Sequence, residues 1–223
     1  MFVLDVIKNN LIVSCQALED EPLHSAFIMG RMAKAAKEGG AVAIRAQGVD
    51  DIIEIKRVTN LPVIGIIKRN YKDSEVFITP TKKEIKELIE TGCEMIALDA
   101  TDRTRPNNEK IKDLLELIHK SKRLAMADVS TYEEGIKAQE MGFDCISTTL
   151  SGYTSYSTQS DKVDFKLLEE LVKDCSIPVI CEGRIYTPEE LKEAFDIGAY
   201  SVVIGGAITR PQQITERFVK AIK

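Results

Sequence analysis

Apolar and polar positions along this chain follow two periods, and stretches of each period alternate. Short runs that are almost wholly apolar, many rich in Val and Ile, recur at roughly regular intervals, a pattern typical of strands buried on both faces of a parallel sheet. Between them, apolar residues fall three and four positions apart, as at Ile85, Leu88 and Ile89, which predicts amphipathic helices. The predicted strands are 11–17, 41–46, 63–68, 95–100, 124–129, 145–150, 179–183 and 201–205.

Eight strands that each precede a helix predict the α/β fold known as the (β/α)8 TIM barrel. The residues between elements agree with this prediction. Thr131 and Thr187 stand before acidic first turns, as helix N-caps do, and Gly92, Gly142 and Gly198 follow helical patterns, as C-terminal caps do. No linker or low-complexity tract interrupts the pattern, so we expect residues 1–223 to form a single TIM-barrel domain.

Composition narrows the class of protein. The chain has 223 residues, 44% hydrophobic and 29% charged, which is the ordinary mix of a globular protein. A net charge of −5 and the lack of a basic stripe argue against nucleic-acid binding. No apolar run has the length that a membrane span needs, and the first residues do not resemble an export signal. We therefore expect a cytoplasmic protein without a membrane partner.

Metal and disulfide chemistry have little support in the sequence. The five cysteines are odd in number and form no C-x-x-C pair, so neither a disulfide framework nor a zinc site is expected. Cys15, Cys145 and Cys181 lie inside apolar runs, where they are expected to be small core residues. The only histidines are His24 and His119, too few to support a histidine metal cluster or a histidine-dependent triad.

Catalytic groups of TIM barrels stand at the carboxyl ends of the strands, so polar residues at those positions are the candidates. Together they predict a polar ring at the mouth of an apolar barrel. The candidates are Gln16, Arg45, Lys68, Asp99, Asp128, the stretch 148–153 with Tyr153 at its end, Glu182 and the stretch 205–210.

The last two strand ends predict a phosphate site. Gly183, Gly205 and Gly206 would let backbone N–H groups approach an anion closely, and Arg210 would add a planar cationic fork. TIM barrels commonly bind phosphate at this place, after the seventh and eighth strands.

Lys68 and Glu182 form a candidate acid/base pair. Partial burial beside Arg45 would lower the pKa of Lys68, and Glu182 would approach a substrate from the opposite side of the mouth. Two structural alternatives remain open: Lys68 could pair with Asp99 or Asp128, and Glu182 could only orient Arg184 or Lys68. Arg45, Asp128 and Gln16 suit positioning of substrate oxygens. Asp99 could instead be a salt-bridge partner in the bottom layer of the barrel.

Together, in this order, several motifs resemble the N-acetylmannosamine-6-phosphate 2-epimerase family of sialic acid catabolism. The similarity runs nearly from end to end of the chain. The motifs that carry it are RMAKAAKEGGAVAIR at 31–45, IIKR at 66–69, FITPT at 77–81, LDATDR at 98–103, MADVS at 126–130, TTLSGYT at 148–154, EGR at 182–184 and GAITRP at 206–211.

The resemblance implies interconversion of N-acetyl-D-mannosamine 6-phosphate and N-acetyl-D-glucosamine 6-phosphate without a cofactor or metal. It places the family's catalytic lysine at Lys68 and its acid/base glutamate at Glu182. The family's substrate-binding residues fall on Gln16, Arg45 and Asp128, and its phosphate-binding arginine falls on Arg210. Tyr153, within the TTLSGYT motif, is a further candidate for contact with substrate.

Two other functions remain open. A lysine on a barrel strand can also form a Schiff base, which would make the protein an aldolase. A phosphosugar sensor could keep the barrel and lose turnover, although it would then be free to lose either Lys68 or Glu182. We also expect a homodimer that pairs through outer helices.

Overall fold

The computed structural model describes residues 3–222, and Phe2, predicted to lie on one face of an amphipathic opening segment, is outside this range. All neighbouring strands are parallel, and they form a closed barrel in chain order, with the eighth strand hydrogen-bonded to the first. The strands are β1 Leu11–Cys15, β2 Ala43–Gln47, β3 Val63–Ile66, β4 Met95–Asp99, β5 Leu124–Asp128, β6 Cys145–Ser147, β7 Val179–Glu182 and β8 Ser201–Ile204. The predicted (β/α)8 TIM barrel is confirmed.

A helix follows every strand, and one short helix precedes the first. The helices of residues 3–222 are α1 Val3–Ile7, α2 Ala26–Glu38, α3 Val49–Thr59, α4 Lys82–Thr91, α5 Ile111–Lys120, α6 Tyr132–Met141, α7 Phe165–Asp174, α8 Pro188–Ile197 and α9 Pro211–Lys220. Single 3₁₀ turns lie at Pro106–Asn108 and Thr148–Leu150. None of the helices in this part of the chain is long and apolar enough to cross a membrane.

Alternate residues of each strand point to opposite sides of the barrel wall. One set packs outward against the ring of helices, and the other fills the barrel interior, where Ile12, Ile64, Met95 and Ile180 belong to a buried cluster. Val3 and Ile7 of α1 join that interior cluster. The barrel is therefore a packed core, and open space remains only where the strands end.

Seven of the eight predicted strands extend too far toward their carboxyl ends. Lys68 lies two residues beyond β3, and the predicted end of the sixth strand is the 3₁₀ turn Thr148–Leu150. Apolar runs continue past the last ladder hydrogen bond because the emerging backbone is still buried, as Ile67 and Leu150 are. Burial therefore continues past the last residue that pairs with a neighbouring strand. The pattern of apolar residues indicates burial and does not show where pairing ends.

The predicted helix boundaries at Thr131 and Thr187 are confirmed. Each threonine accepts a hydrogen bond from the backbone N–H three residues ahead, and the glutamate at that position bonds back to the cap. Gly142 and Gly198 end the same two helices with left-handed backbone conformations, at φ of 93° and 115°. These caps fix where each outer helix begins and ends relative to its strands.

Candidate active site at the barrel mouth

A cavity of about 280 Å³ opens at the carboxyl ends of the strands. Its wall includes Gln16 after β1, Arg45 in β2, Lys68 after β3, Glu182 at the end of β7 and Arg210 after β8. These residues are separated by up to 194 positions in the chain, and barrel closure brings them together. Within residues 3–222 no cluster of three or more His, Cys, Asp or Glu side chains is arranged to hold a metal ion.

Arg45 lies at the centre of a buried ionic cluster. Its Nη2 donates to Oδ2 of Asp128 at 2.6 Å, and its Nη1 donates to Oδ1 of Asp128 at 3.0 Å and to Oε2 of Glu182 at 2.8 Å. This bidentate pairing with the Asp128 carboxylate fixes the plane of the Arg45 guanidinium. Arg45 is only 1% exposed, and its buried Nε has no hydrogen-bond partner among residues 3–222.

Asp128 is fully buried and is not part of the cavity wall. The sequence suggested that this carboxylate would contact substrate hydroxyls, but both of its oxygens accept hydrogen bonds from Arg45. In this structure Asp128 therefore holds Arg45 in place from below.

Thr149 joins the two carboxylates of the cluster. Its hydroxyl lies 2.9 Å from Oδ1 of Asp128 and 3.0 Å from Oε2 of Glu182. It belongs to the 3₁₀ turn after β6 and lies within the stretch 148–153, which the sequence placed in the polar ring of the barrel mouth. Its individual role could not be predicted, because its two carboxylate partners lie 21 and 33 positions away in the chain.

Glu182 reaches the cavity with its side chain 13% exposed. Burial raises the pKa of this carboxyl, the positive charge of Arg45 opposes that rise, and Asp128 adds to it. A raised pKa makes this carboxyl hold a proton more readily than an exposed glutamate does. Its contact with Arg45 and Thr149 also fixes which oxygen faces the cluster.

Lys68 makes no ion pair with any residue between 3 and 222. Asp99 pairs with Arg103 and Asp128 pairs with Arg45, so the structural alternative for Lys68 is wrong. Burial lowers the pKa of Lys68 to about 8, and the positive charges of Arg210 and Arg45 add to the effect. About a tenth of this amine is therefore uncharged at pH 7, far more than for a lysine with the ordinary pKa of about 10.4.

Asp99 lies away from the cavity wall. Its carboxylate accepts hydrogen bonds from the Thr101 hydroxyl at 2.7 Å and from Arg103 Nη2 at 2.5 Å. The suggested salt-bridge role is correct, but its location in the bottom layer is wrong, because Asp99 ends β4 on the same side as Asp128.

Gln16 and Tyr153 both line the cavity. The Gln16 side chain is 8% exposed and its Nε2 donates to Ser14 Oγ at 2.8 Å, which leaves its carbonyl oxygen free to accept. Tyr153 is 58% exposed, and the guanidinium of Arg184 lies 4.7 Å from the centre of its ring. Arg184 also lines the cavity, and its position directly after Gly183 was the signal that could have identified it.

All four residues that the sequence predicts to bind phosphate line the cavity. Gly183 has φ of 116°, a conformation that favours glycine. A Cβ on Gly206 would lie 2.6 Å from Oε1 of Gln213, so a side chain at this turn would require the end of the Gln213 side chain to move. Arg210 directly precedes α9, whose first N–H groups make this end of the cavity favourable for an anion.

Comparisons with known proteins agree with this geometry. The model of the family described as "Putative N-acetylmannosamine-6-phosphate epimerase" matches residues 29–223. A relative from Clostridium perfringens strain SM101, named "Putative N-acetylmannosamine-6-phosphate 2-epimerase", is 74% identical over 221 residues, which cover 99% of this chain and 100% of the relative. A relative of the same name from Clostridioides difficile strain 630 is 67% identical, with 99% of each chain covered.

Among solved structures, the N-acetylmannosamine-6-phosphate 2-epimerase from Clostridium perfringens superimposes with a TM-score of 0.99 at 72% identity, covering 99% of this chain and 96% of that one. Thiamine phosphate pyrophosphorylase from Pyrococcus furiosus is 16% identical with a TM-score of 0.64, covering 96% and 93% of the two chains, and shares the fold alone.

Proposed function

The chain belongs to the N-acetylmannosamine-6-phosphate epimerase family, and from this premise we propose how its barrel mouth works. It interconverts N-acetyl-D-mannosamine 6-phosphate and N-acetyl-D-glucosamine 6-phosphate by moving the proton on C2. The observation that carries the mechanism is Lys68, a partly buried amine with a lowered pKa and no ion pair among the described residues, in one cavity with Glu182 and an anion-binding end.

The C2 proton of the open-chain sugar is adjacent to the C1 aldehyde, so its removal gives an enolate whose charge rests on oxygen. Uncharged Lys68 takes this proton, because Glu182 is already engaged by Arg45 and Thr149. Return of a proton to the opposite face of C2 inverts the centre, and both Glu182 and the protonated lysine are acids within the cavity. The positive charge of Arg45, which lines the cavity, stabilises the enolate oxygen.

Arg210, Gly183, Gly205 and Gly206 hold the phosphate group at the far end of the cavity. Binding of a remote, unreactive group restricts the sugar and brings C2 to the same place in each turnover. Gln16 and Tyr153 contact the sugar between the two ends, and Asp128 acts by holding Arg45.

The direct test is incubation with N-acetylmannosamine 6-phosphate followed by proton NMR, with unphosphorylated N-acetylmannosamine as the matched substrate. We expect the gluco epimer from the phosphorylated sugar and much slower conversion of the other. If neither sugar is converted, the alternative function of a phosphosugar sensor without turnover is favoured. A covalent adduct on Lys68 that borohydride traps would instead identify a Schiff-base enzyme.

The pH dependence of kcat/KM follows from the lowered pKa of Lys68. Only the uncharged amine accepts a proton, so kcat/KM should rise with pH, reach half of its maximum near pH 8 and then level off. The assay is run above pH 7, where the phosphate group is already largely a dianion. A profile that is flat from pH 7 to 9, or that rises only near pH 10, would contradict this assignment.

We also propose that the protein works as a homodimer in the cytoplasm, where its charged sugar phosphate substrate is retained. Helix α9 has no buried residue; its Phe218 is 74% exposed, and Ile222, just after the helix, is 85% exposed. Burial of this apolar face against a second copy would stabilise a dimer. Light scattering should give the dimer mass for the wild type and the monomer mass for Phe218→Ser; a monomeric wild type would contradict the proposal.

A further inference from the structure

Arg210, at the phosphate end of the cavity, already has an anionic partner. Its Nη2 lies 3.3 Å from Oε2 of Glu21, a residue of the loop between β1 and α2. We propose that Glu21 is a resident counter-anion, which the phosphate group of the substrate must displace from Arg210, and that it thereby sets the affinity of the site for phosphate esters. This inference rests on the proposed function, because it requires that Arg210 binds phosphate.

The carboxylate of Glu21 is held by its own loop as well as by Arg210. The Leu18 N–H donates to Oε2 at 2.8 Å, and the Glu21 N–H donates back to the Leu18 carbonyl at 2.9 Å. These bonds do not involve Arg210, so they persist when the guanidinium turns to a ligand. The negative charge therefore stays beside the site while the phosphate binds.

The pair is exposed enough to be exchanged. The side chains of Arg210 and Glu21 are 27% and 24% exposed, unlike the buried pair of Arg45 and Asp128. Partly hydrated ion pairs contribute little net free energy, and a phosphate ester carries up to two negative charges against one for a carboxylate. The phosphate can thus take the place of Glu21, at a cost in affinity of about two- to fivefold.

The cost falls equally on inorganic phosphate and on a sugar phosphate, because both must displace Glu21 from Arg210. Glu21 therefore lowers the affinity of the site for both ligands and leaves the ratio of the two affinities unchanged.

Glu21 also acts on Lys68 through its charge. The charged groups that face Lys68 are Arg210, Arg45, Glu182 and Glu21, and the two carboxylates raise its pKa against the effects of burial and of the arginines. Removal of the charge on Glu21 should lower the pKa of Lys68 further. The midpoint of the kcat/KM profile against pH is therefore a second readout, and it would not change if Glu21 only stabilised its loop.

The experiment compares Glu21→Gln with Glu19→Gln, a matched loss of charge from an exposed neighbour that makes no ion pair within residues 3–222. The glutamine can still accept from the Leu18 N–H. We measure the inhibition constant of inorganic phosphate and KM for N-acetylmannosamine 6-phosphate. Glu21→Gln should lower both about two- to fivefold and shift the midpoint of the kcat/KM profile to lower pH. Glu19→Gln should leave all three within error.

Arg210→Ala separates failure of this inference from failure of the proposed site. If Arg210→Ala raises KM at least tenfold but Glu21→Gln leaves phosphate affinity unchanged or weaker, Glu21 only supports the loop and the inference is wrong. If Arg210→Ala leaves KM unchanged, the phosphate site itself is wrong. In the Arg210→Ala background, Glu21→Gln should change phosphate inhibition less than in the wild type, and an undiminished effect would overturn displacement from Arg210.

Discussion

Replacement of Lys68 by alanine should lower kcat by about 10³- to 10⁴-fold, the range for loss of a positioned general base. The expectation follows from the lowered pKa of Lys68 and its position in the cavity wall, because no other described group there is a free amine near its pKa. The change should affect kcat far more than KM, since Arg210 and the glycine turns would still hold the phosphate. Steady-state kinetics of the purified variant measure both constants.

Lys72→Ala is the matched control, because Lys72 is an exposed lysine four residues further along the same loop. It should retain wild-type kinetics. A Lys68→Ala variant that keeps more than a tenth of the wild-type kcat would show that another group removes the proton, and the assignment of Lys68 as the base would be wrong.

The second large effect is expected for Glu182→Gln, which should lower kcat by about 10²- to 10³-fold. The amide fills the same volume and can still accept from Arg45 and Thr149, but it cannot hold or transfer a proton. It also removes one of the two carboxylates that balance the charge of Arg45 at 2.8 Å. Kinetics should be read together with the melting temperature, so that loss of the fold is distinguished from loss of the acid.

Glu189→Gln, on an exposed position of α8, supplies the matched control for removal of one glutamate charge. We expect a folded Glu182→Gln protein with a strong loss of kcat and little change for Glu189→Gln. Near-normal turnover by folded Glu182→Gln would restrict Glu182 to the orientation of Arg45.

The sequence predicted the barrel because its strands are short β-branched or alanine-rich runs that recur between helical patterns. The barrel consists of eight successive strand–helix units, and the sequence pattern of each unit can be recognised without reference to the others. The strand ends could not be predicted as well, because Ile67 and Leu150 remain buried after pairing has ended. Because the residues after the last ladder hydrogen bond are still buried, the apolar pattern does not show at which residue each strand ends.

Several residues of the cavity wall could be predicted from the sequence, but the contacts between them could not. Closure of a parallel barrel places every strand end at one mouth, so Gln16, Lys68 and Glu182 could be chosen from position alone. Which of them touch depends on the strands that face each other across the barrel. Arg45 contacts partners 83 and 137 positions away, and no local pattern reports such distances.

The role of Asp128 illustrates the same limit. A carboxylate at a strand end predicts an open polar group, yet its side chain lies below Arg45 and has no exposed surface. Glu21 shows the reverse case, because its loop has no strand-end pattern and only the folded chain brings it to Arg210. Long loops carry site residues whose positions depend on the rest of the fold.

The most direct test of proton transfer between C2 and Lys68 is proton NMR of N-acetylmannosamine 6-phosphate in D₂O, with the wild type and with Lys68→Ala. We expect the wild-type product, N-acetylglucosamine 6-phosphate, to carry deuterium at C2. We expect Lys68→Ala to form no product and to leave the C2 proton in place. Product formed at the wild-type rate by Lys68→Ala, or exchange of the C2 proton for deuterium catalysed by Lys68→Ala at the wild-type rate, would contradict proton transfer between C2 and Lys68.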